Sequence, residues 1–142
     1  MFRKILLPVD RSARSRTAAP YASELAKSLG AELLVLHVLT GPVTHSASAQ
    51  EPEAAEYVAG VAKRLRKAGV KAKTRVQRGD PAAGIRSAAI EWGADAVVMA
   101  TRGRQGLQKL VLGSVAEAVV RDSHIPVLLI SNRTRPAAKK AA

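Results

Sequence analysis

Short runs of Val, Leu and Ile alternate along the chain with longer stretches of helical periodicity. Near-continuous apolar runs are typical of strands that are buried on both faces. Four such runs are present: KILLPVD (4–10), ELLVLHV (32–38), DAVVMAT (95–101) and PVLLI (126–130). The run VKAKTRVQRG (70–79) instead alternates apolar and polar residues, so it predicts an edge strand with one solvated face.

The stretches between these runs predict four helices, at residues 13–29, 51–68, 81–92 and 115–123, with an irregular loop at 40–50. Asp80 followed by Pro81 is a helix start signal, and glycine directly follows the first three helices. Pro20 lies inside the first helix and predicts a kink or a restart. Because right-handed crossovers join such alternating elements, the predicted fold class is α/β, an open five-stranded parallel sheet with helices on both faces.

The length of 142 residues suits one compact domain, which we assign to residues 1–131. Residues 132–142 are basic and poor in apolar side chains, which predicts a disordered tail. The absence of cysteine excludes disulfides and thiolate chemistry. The apolar run from Ile5 to Val9 is too short for a signal peptide or a membrane span, so we expect a cytoplasmic protein.

A formal net charge of +12 raises the question of a polyanionic partner. The basic residues concentrate in the segment 63–75 and at the C-terminus. Neither the motifs that place a basic helix in a groove nor aromatic stacking platforms accompany them. We therefore interpret the charge as a solvated surface and do not expect a nucleic-acid partner, and polyanion binding stays an alternative.

The segment GRQGLQKLVLGSVAE (103–117) carries glycines at positions 103, 106 and 113. Ser114 precedes Glu117 by three residues, a capping-box pattern in which Ser114 caps a helix that starts at Val115. Because ligands of parallel sheets bind at the carboxyl ends of strands, and helix N-termini attract anions, a phosphate fits this position. From the residues alone, two interpretations remain: a phosphate-bearing ligand, or a cap and a loop with only structural roles.

The chain resembles small universal stress proteins over nearly its whole length, in ILLPVD, LLVLHV and GRQGLQKLVLGSVAEAVVRDSHIPVLLI. Nucleotide-binding members of that family carry G-x-x-G, nine residues, then G-[ST]. The spacing from Gly103 to Gly113 and Ser114 matches, whereas Ala100 stands in place of the first glycine. The resemblance implies a Rossmann-like fold, similar to that of the adenine nucleotide alpha-hydrolases. If position 100 requires a positive φ or close approach of a ribose, Ala100 weakens binding.

The resemblance also implies an ATP site, with Mg²⁺ reached through the phosphates. Around the adenine and ribose it would place Pro8, Asp10, Val38, Met99 and Ala100. Phosphates would meet the backbone amides of Gly103, Gly113, Ser114 and Val115, and the Ser114 hydroxyl. Each residue also has a structural interpretation: Asp10 as a cap of the first helix, Met99 as core. His37 is predicted to be a buried strand residue bonded to backbone.

The function implied is an ATP-binding regulatory module of the stress response that acts as a nucleotide-dependent homodimeric switch. Alternatives are a member that binds no nucleotide and works through protein–protein interaction with an unidentified partner, or a weak ATP hydrolase. Neither a Walker A lysine pattern nor an S-G-G-x-D-S loop is present, so dedicated catalysis is not expected. Strand 126–130 is apolar and lacks a following helix, which favours homodimerisation through its edge, as in the family.

Overall fold

Five parallel strands form the central sheet: β1 Lys4–Pro8, β2 Glu32–Leu39, β3 Ala72–Arg78, β4 Ala96–Ala100 and β5 Val127–Ile130. They lie side by side in the order β3-β2-β1-β4-β5, and every neighbouring pair is parallel. This computed structural model describes residues 1–13, 15–42, 47–101 and 113–131, with the backbone alone at 47–49. The predicted fold class is confirmed.

In the described ranges four helices cover the sheet: α1 Ala18–Leu29, α2 Ala47–Lys67, α3 Pro81–Trp92 and α4 Ser114–Asp122. One apolar cluster joins the sheet to α1 and α2, and a second joins its other face to α3 and α4. Adjacent residues of β1 show the division, since Ile5 and Leu7 belong to the first cluster and Leu6 to the second, all three fully buried. Burial on both faces explains why β1, β2 and β4 are mainly apolar, whereas the edge strand β3 is mostly polar.

The starts of α1 and α2 differ from the sequence prediction by several residues, and α4 starts one residue earlier, at Ser114. A short 3₁₀ turn, Ser15–Thr17, precedes α1, so Pro20 lies in the first turn of that helix. A proline there is tolerated because the first N–H groups of a helix have no intrahelical acceptor. Of the predicted kink or restart, the structure shows a restart, since the α-helix begins at Ala18 after the 3₁₀ turn. Helix α2 begins at Ala47 rather than at residue 51, so the end of the predicted loop 40–50 is helical.

The predicted start of α3 is confirmed. Asp80 has extended backbone angles, its Oδ2 accepts a hydrogen bond of 2.9 Å from the N–H of Ala83, and Pro81 occupies the first helical position. Helices α1 and α3 both end at a glycine in the left-handed conformation, Gly30 and Gly93. These local signals therefore act as the sequence indicates.

The predictions for Gly103, Gly106 and the tail 132–142 lie outside the described residues. Within the described ranges, no helix combines the length and the hydropathy that a membrane crossing requires.

Candidate functional site

A cavity of about 360 Å³ opens at the carboxyl ends of β1, β2 and β4. Pro8, Val38 and Ala100 line it, each at or beside the last residue of its strand. The chain places β2 and β3 on one side of β1, and β4 and β5 on the other, so the strand order reverses between β1 and β4. The cavity therefore lies at the topological switch point, where open parallel sheets bind their ligands.

Eight of the nine site residues predicted from the sequence line this one cavity. They are Pro8, Asp10, Val38, Met99, Ala100, Gly113, Ser114 and Val115. Gly103 lies outside the described residues. Residues far apart in the chain thus come together at one edge of the sheet, although their roles toward a ligand stay predictions.

A network of side-chain to backbone hydrogen bonds holds Asp10 directly after β1. Its Oδ1 accepts from the backbone N–H of Ser12 at 2.8 Å and from the Ser12 hydroxyl, and its own N–H donates to Ser15 Oγ at 2.6 Å. The alternative role of Asp10 as the cap of α1 is wrong, because the N-cap of α1 is Thr17. Asp10 instead forms an exposed Asx-type turn at the rim of the cavity.

Helix α4 begins at the wall of the cavity in a way that corrects the capping-box prediction. Gly113, not Ser114, is the N-cap: its φ of 91° lies outside the range that L side chains adopt readily, and its carbonyl accepts from the N–H of Glu117 at 3.0 Å. Among the described residues, no side chain caps this terminus. Ser114 is the first helical residue, so its hydroxyl is not used as a cap, and it is exposed beside the cavity.

His37 is confirmed as a buried strand residue bonded to backbone. It is 8% exposed, and its Nδ1 lies 2.8 Å from the carbonyl oxygen of Val9. Its ring also meets Tyr57 edge to face, with the ring centroids 6.4 Å apart. These contacts fix the imidazole in the wall between β1 and β2, which is a structural role.

Met99 and Ala100, at the end of β4, point to opposite faces of the sheet. Met99 is 5% exposed and packs in the cluster with α3 and α4, so its structural interpretation as core holds along with its place in the cavity lining. Ala100 packs against the cluster with α1 and α2. No residue other than glycine has a positive φ in the described part of the chain, so Ala100 has ordinary strand geometry. One of the two reasons why alanine could weaken a ligand site here is thereby removed.

Sequence matching and fold comparison agree on the relationship. A model of the universal stress protein family matches residues 1–131. The chain belongs to the universal stress protein family. Universal stress protein MJ0531 of Methanocaldococcus jannaschii is 34% identical over 140 residues, which cover 92% of this chain and 82% of that protein.

Two solved structures share the fold of this universal stress protein. The structure of MJ0577, a universal stress protein of Methanocaldococcus jannaschii, has a TM-score of 0.80 at 27% identity and covers 95% of this chain and 99% of its own. The universal stress protein of Archaeoglobus fulgidus in complex with dAMP has a TM-score of 0.71 at 25% identity and covers 92% and 99%. The likeness therefore extends over the whole domain in both cases.

Close packing of α3 on the sheet sets the position of Val38 in this universal stress protein. A β-carbon at Gly84 would lie 3.0 Å from Val38 Cγ2 and 3.0 Å from Gln77 Nε2. Gln77 Nε2 also donates to the Gly84 carbonyl at 3.0 Å. A side chain at position 84 would push Val38 or Gln77 aside by a few tenths of an ångström, so Gly84 supports the site although no ligand role was predicted for it. A glycine inside a helical pattern is the sequence signal that indicates such packing.

Sequence reasoning missed other residues of the cavity wall, among them Ser15, Thr40, Pro81 and Ile85. Thr40 directly follows β2 and Pro81 begins α3, so the rule that ligands lie at the carboxyl ends of strands could have found both. Ile85 faces the cavity only because α3 packs across the sheet, and no local pattern shows this. Ser15 belongs to DRSARS, whose serines bond the backbone after β1.

Tyr57 lies behind the cavity wall, against His37. Burial raises the pKa of the Tyr57 hydroxyl, against a smaller opposing effect of Arg16. Tyr57 thus stays neutral at physiological pH, and its ring supports the imidazole. Across the described ranges, no three His, Cys, Asp or Glu side chains gather as a metal site would need.

Proposed function

We propose that this universal stress protein binds ATP in the cavity at the carboxyl edge of its sheet and acts as a nucleotide-dependent regulatory module. The observation that carries the proposal is the meeting of an uncapped helix N-terminus, at Gly113 and Ser114, with the ends of β1, β2 and β4 around one cavity. Anion-binding groups and apolar walls thus border the same space, as a nucleotide requires.

The phosphates occupy the N-terminus of α4 in this proposal. The first N–H groups of a helix have no intrahelical acceptor, and the helix dipole favours negative charge there. Gly113 has no side chain to block the approach, and the Ser114 hydroxyl is not used as a cap. Val115 also lines the cavity, so its amide belongs to the same anion site. Mg²⁺ would be held mainly by the phosphates, since protein carboxylates are few here.

The adenine and ribose lie against the strand ends. Val38 and Met99 provide apolar surface on the α3 side of the sheet, and Pro8 ends the strand between them. Asp10 presents a carboxylate at the rim that its Ser12 hydrogen bonds hold in place, so a ribose hydroxyl can donate to it. The dAMP complex of the Archaeoglobus fulgidus protein supports an adenine nucleotide as the ligand class.

A regulatory use of ATP fits the chemistry of the lining better than dedicated hydrolysis. Nδ1 of His37 lies against the Val9 carbonyl, and Asp10 Oδ1 accepts from Ser12. Both groups therefore have structural partners.

Calorimetric titration of the wild-type chain with ATP and Mg²⁺, and in parallel with GTP, tests the proposal. We expect ATP to bind and GTP to bind more weakly. No heat with ATP up to millimolar concentration, from protein whose circular dichroism shows the fold intact, would contradict it. Phosphate release followed in the same samples distinguishes the alternative of a weak hydrolase.

A homodimeric switch requires a second copy of the chain, and we propose that the second copy binds at the edge of β5. In the described chain β5 pairs only with β4, Leu128 is 45% exposed, and an apolar groove beside it includes Leu29, which is 44% exposed. Covering this edge satisfies strand N–H and C=O groups and removes apolar surface from water.

Light scattering tests the dimer. Wild type should be dimeric and Leu128→Lys monomeric, because a lysine on the interface buries a charge. Val120→Lys is the matched control, since Val120 is similarly exposed, at 44%, but does not line the groove. A monomeric wild type across micromolar concentrations would contradict dimerisation and leave the ATP titration unaffected.

A further inference from the structure

A second cavity lies between α3 and α4, and among the described residues it shares one lining residue, Ile85, with the cavity at the carboxyl edge of the sheet. It encloses about 390 Å³, a volume typical of small-molecule sites, which span roughly 300 to 1,000 Å³. Its inner wall is apolar, with Ile85 and Ala89 from α3, Val97 from β4 and Val119 from α4, each less than one-tenth exposed. The wall therefore suits an aliphatic chain rather than a nucleobase or a sugar.

An isoleucine stands at the mouth of this cavity. Ile90 lines the cavity and is 67% exposed, although Ala89 beside it is 9% exposed. A large apolar side chain at that exposure, next to an apolar cavity, extends the hydrophobic surface outward. A ligand chain entering the cavity would remove both surfaces from water.

The rim carries two guanidinium groups, those of Arg86 and Arg121, and two carboxylates, those of Asp80 and Asp122. Arg86 Nη1 lies 3.8 Å from Asp122 Oδ2, and Arg121 Nε lies 3.5 Å from Asp122 Oδ1. Two guanidinium groups thus share a single carboxylate. Asp80 also lines the cavity, but its Oδ2 accepts from the N–H of Ala83 and is turned to the helix start.

We infer that the cavity between α3 and α4 binds a small amphipathic carboxylate, such as a medium-chain fatty acid. The aliphatic chain lies against Ile85, Val97 and Val119, and the carboxylate joins Arg86 and Arg121 at the rim. Guanidinium groups pair well with carboxylates. Among the described residues Arg86 and Arg121 share the single carboxylate of Asp122, so a ligand carboxylate gives them a second partner. The ligand is therefore defined by two matched features, an apolar body and one anionic end.

The first experiment titrates octanoate, 1-octanol and acetate into isotopically labelled wild-type protein and follows the amide signals by NMR. Octanoate should shift the amides of cavity residues, and 1-octanol should bind about tenfold more weakly because it lacks the charge-assisted hydrogen bonds. Acetate, which has the charge without the chain, should leave those amides unchanged at the same concentration. Equal binding of 1-octanol and octanoate, or equal effects of acetate and octanoate, would overturn the inference.

Two variants separately test the charged rim and the apolar wall of the cavity. Arg86→Gln combined with Arg121→Gln should weaken octanoate about tenfold and leave 1-octanol unchanged. Arg75→Gln is the matched control, since Arg75 also pairs with a carboxylate, Glu91 on α3, but does not line the cavity. Loss of 1-octanol binding in the double variant, with octanoate reduced no further, would contradict a role for the charge.

A cavity-filling variant tests the chain site. Ala118, half-buried on α4, lines the cavity, so Ala118→Phe should abolish binding of both octanoate and 1-octanol. Ala59→Phe, at an exposed position of α2, is the control for the added ring. Unchanged octanoate binding in a folded Ala118→Phe variant would show that octanoate lies elsewhere on this basic protein.

Discussion

Helices α3 and α4 both start at the carboxyl edge of the sheet, yet their first turns are built in opposite ways. Asp80 caps α3 with its own carboxylate, and Pro81 removes one further N–H group from the first turn. Gly113 begins α4 with no side-chain cap and a φ of 91°. Thus the N-terminus of α3 has a side-chain cap, whereas the N-terminus of α4 has none among the described residues and is the proposed phosphate site. Under the proposed function, the difference separates a helix start that serves stability from one that serves binding.

The largest expected effect is at Gly113. Gly113→Val should abolish ATP binding, because a branched side chain would fill the approach to the helix N-terminus and would be strained at a φ of 91°. Calorimetric titration with ATP and Mg²⁺ measures the loss.

Gly69→Val is the matched control for this change. Gly69 has nearly the same φ, 92°, and lies beyond the end of α2, away from the cavity. The control should lose stability from the same backbone strain and keep its affinity for ATP. If Gly113→Val still binds ATP like wild type, the phosphates do not occupy the start of α4.

At the start of α3 we expect a loss of stability without a loss of ATP affinity. Asp80→Ala removes the cap that accepts from Ala83, which should lower the free energy of unfolding by about 1 kcal/mol. Affinity for ATP should stay within error, because this terminus binds no anion. Urea denaturation measures the stability and calorimetry the affinity. A stable variant that has lost ATP binding would reverse the contrast between the two helices.

Ser114→Ala tests the same comparison of helix starts at α4. The Ser114 hydroxyl is not used as a cap, so its removal should leave the urea midpoint unchanged. Loss of one hydrogen bond to phosphate should weaken ATP about threefold to tenfold. A fall in stability like that of Asp80→Ala, with affinity unchanged, would mean that Ser114 caps the helix after all.

The start of α3 could be predicted from sequence and the start of α4 could not, for a physical reason. Asp80 and Pro81 act through local geometry, which the order of residues fixes. The pattern of Ser114 and Glu117 is compatible with a cap at Ser114 or a first turn at Ser114, and the φ of Gly113 decides between them. That angle depends on how the chain returns from β4, which no short motif encodes.

The same distinction explains the rest of the fold and site. Strands were predictable because parallel strands buried on both faces need continuous apolar runs. The start of α1 was not predictable, because the hydroxyls of Ser12 and Ser15 accept hydrogen bonds from backbone N–H groups and stabilise a turn where helical periodicity indicates helix. Ile85 lines both cavities because α3 packs across the sheet. No local sequence pattern indicates this position, so its place in the two cavity walls could not be predicted.

A smaller effect is expected at Ala100, where the family motif has glycine. Ala100 has no positive φ, and its side chain packs toward α1 and α2. Ala100→Gly should therefore change ATP affinity less than Ser114→Ala does, and should lower stability by about 0.5 to 1 kcal/mol. Calorimetry and urea denaturation measure the two quantities. ATP binding that tightens tenfold would mean that the methyl group obstructs the ribose.

The smallest effect concerns Asp95, which holds backbone N–H groups as Asp80 does but at the amino edge of the sheet. Its Oδ2 accepts from the N–H of Arg3 at 2.8 Å and of Lys4 at 3.0 Å, and these hydrogen bonds lower the pKa of the carboxyl. A lowered pKa in the folded state means that the stabilisation is complete above the ordinary carboxyl pKa and is lost as the pH falls through the folded value.

Asp95→Asn should therefore reduce the urea midpoint slightly at pH 7, and the difference from wild type should vanish in acid. Urea titrations at a series of pH values measure this. Affinity for ATP should not change, since Asp95 is far from the cavity at the opposite edge of the sheet. A difference that persists at the lowest pH would show that the hydrogen bonds to Arg3 and Lys4 do not depend on the charge of the carboxylate.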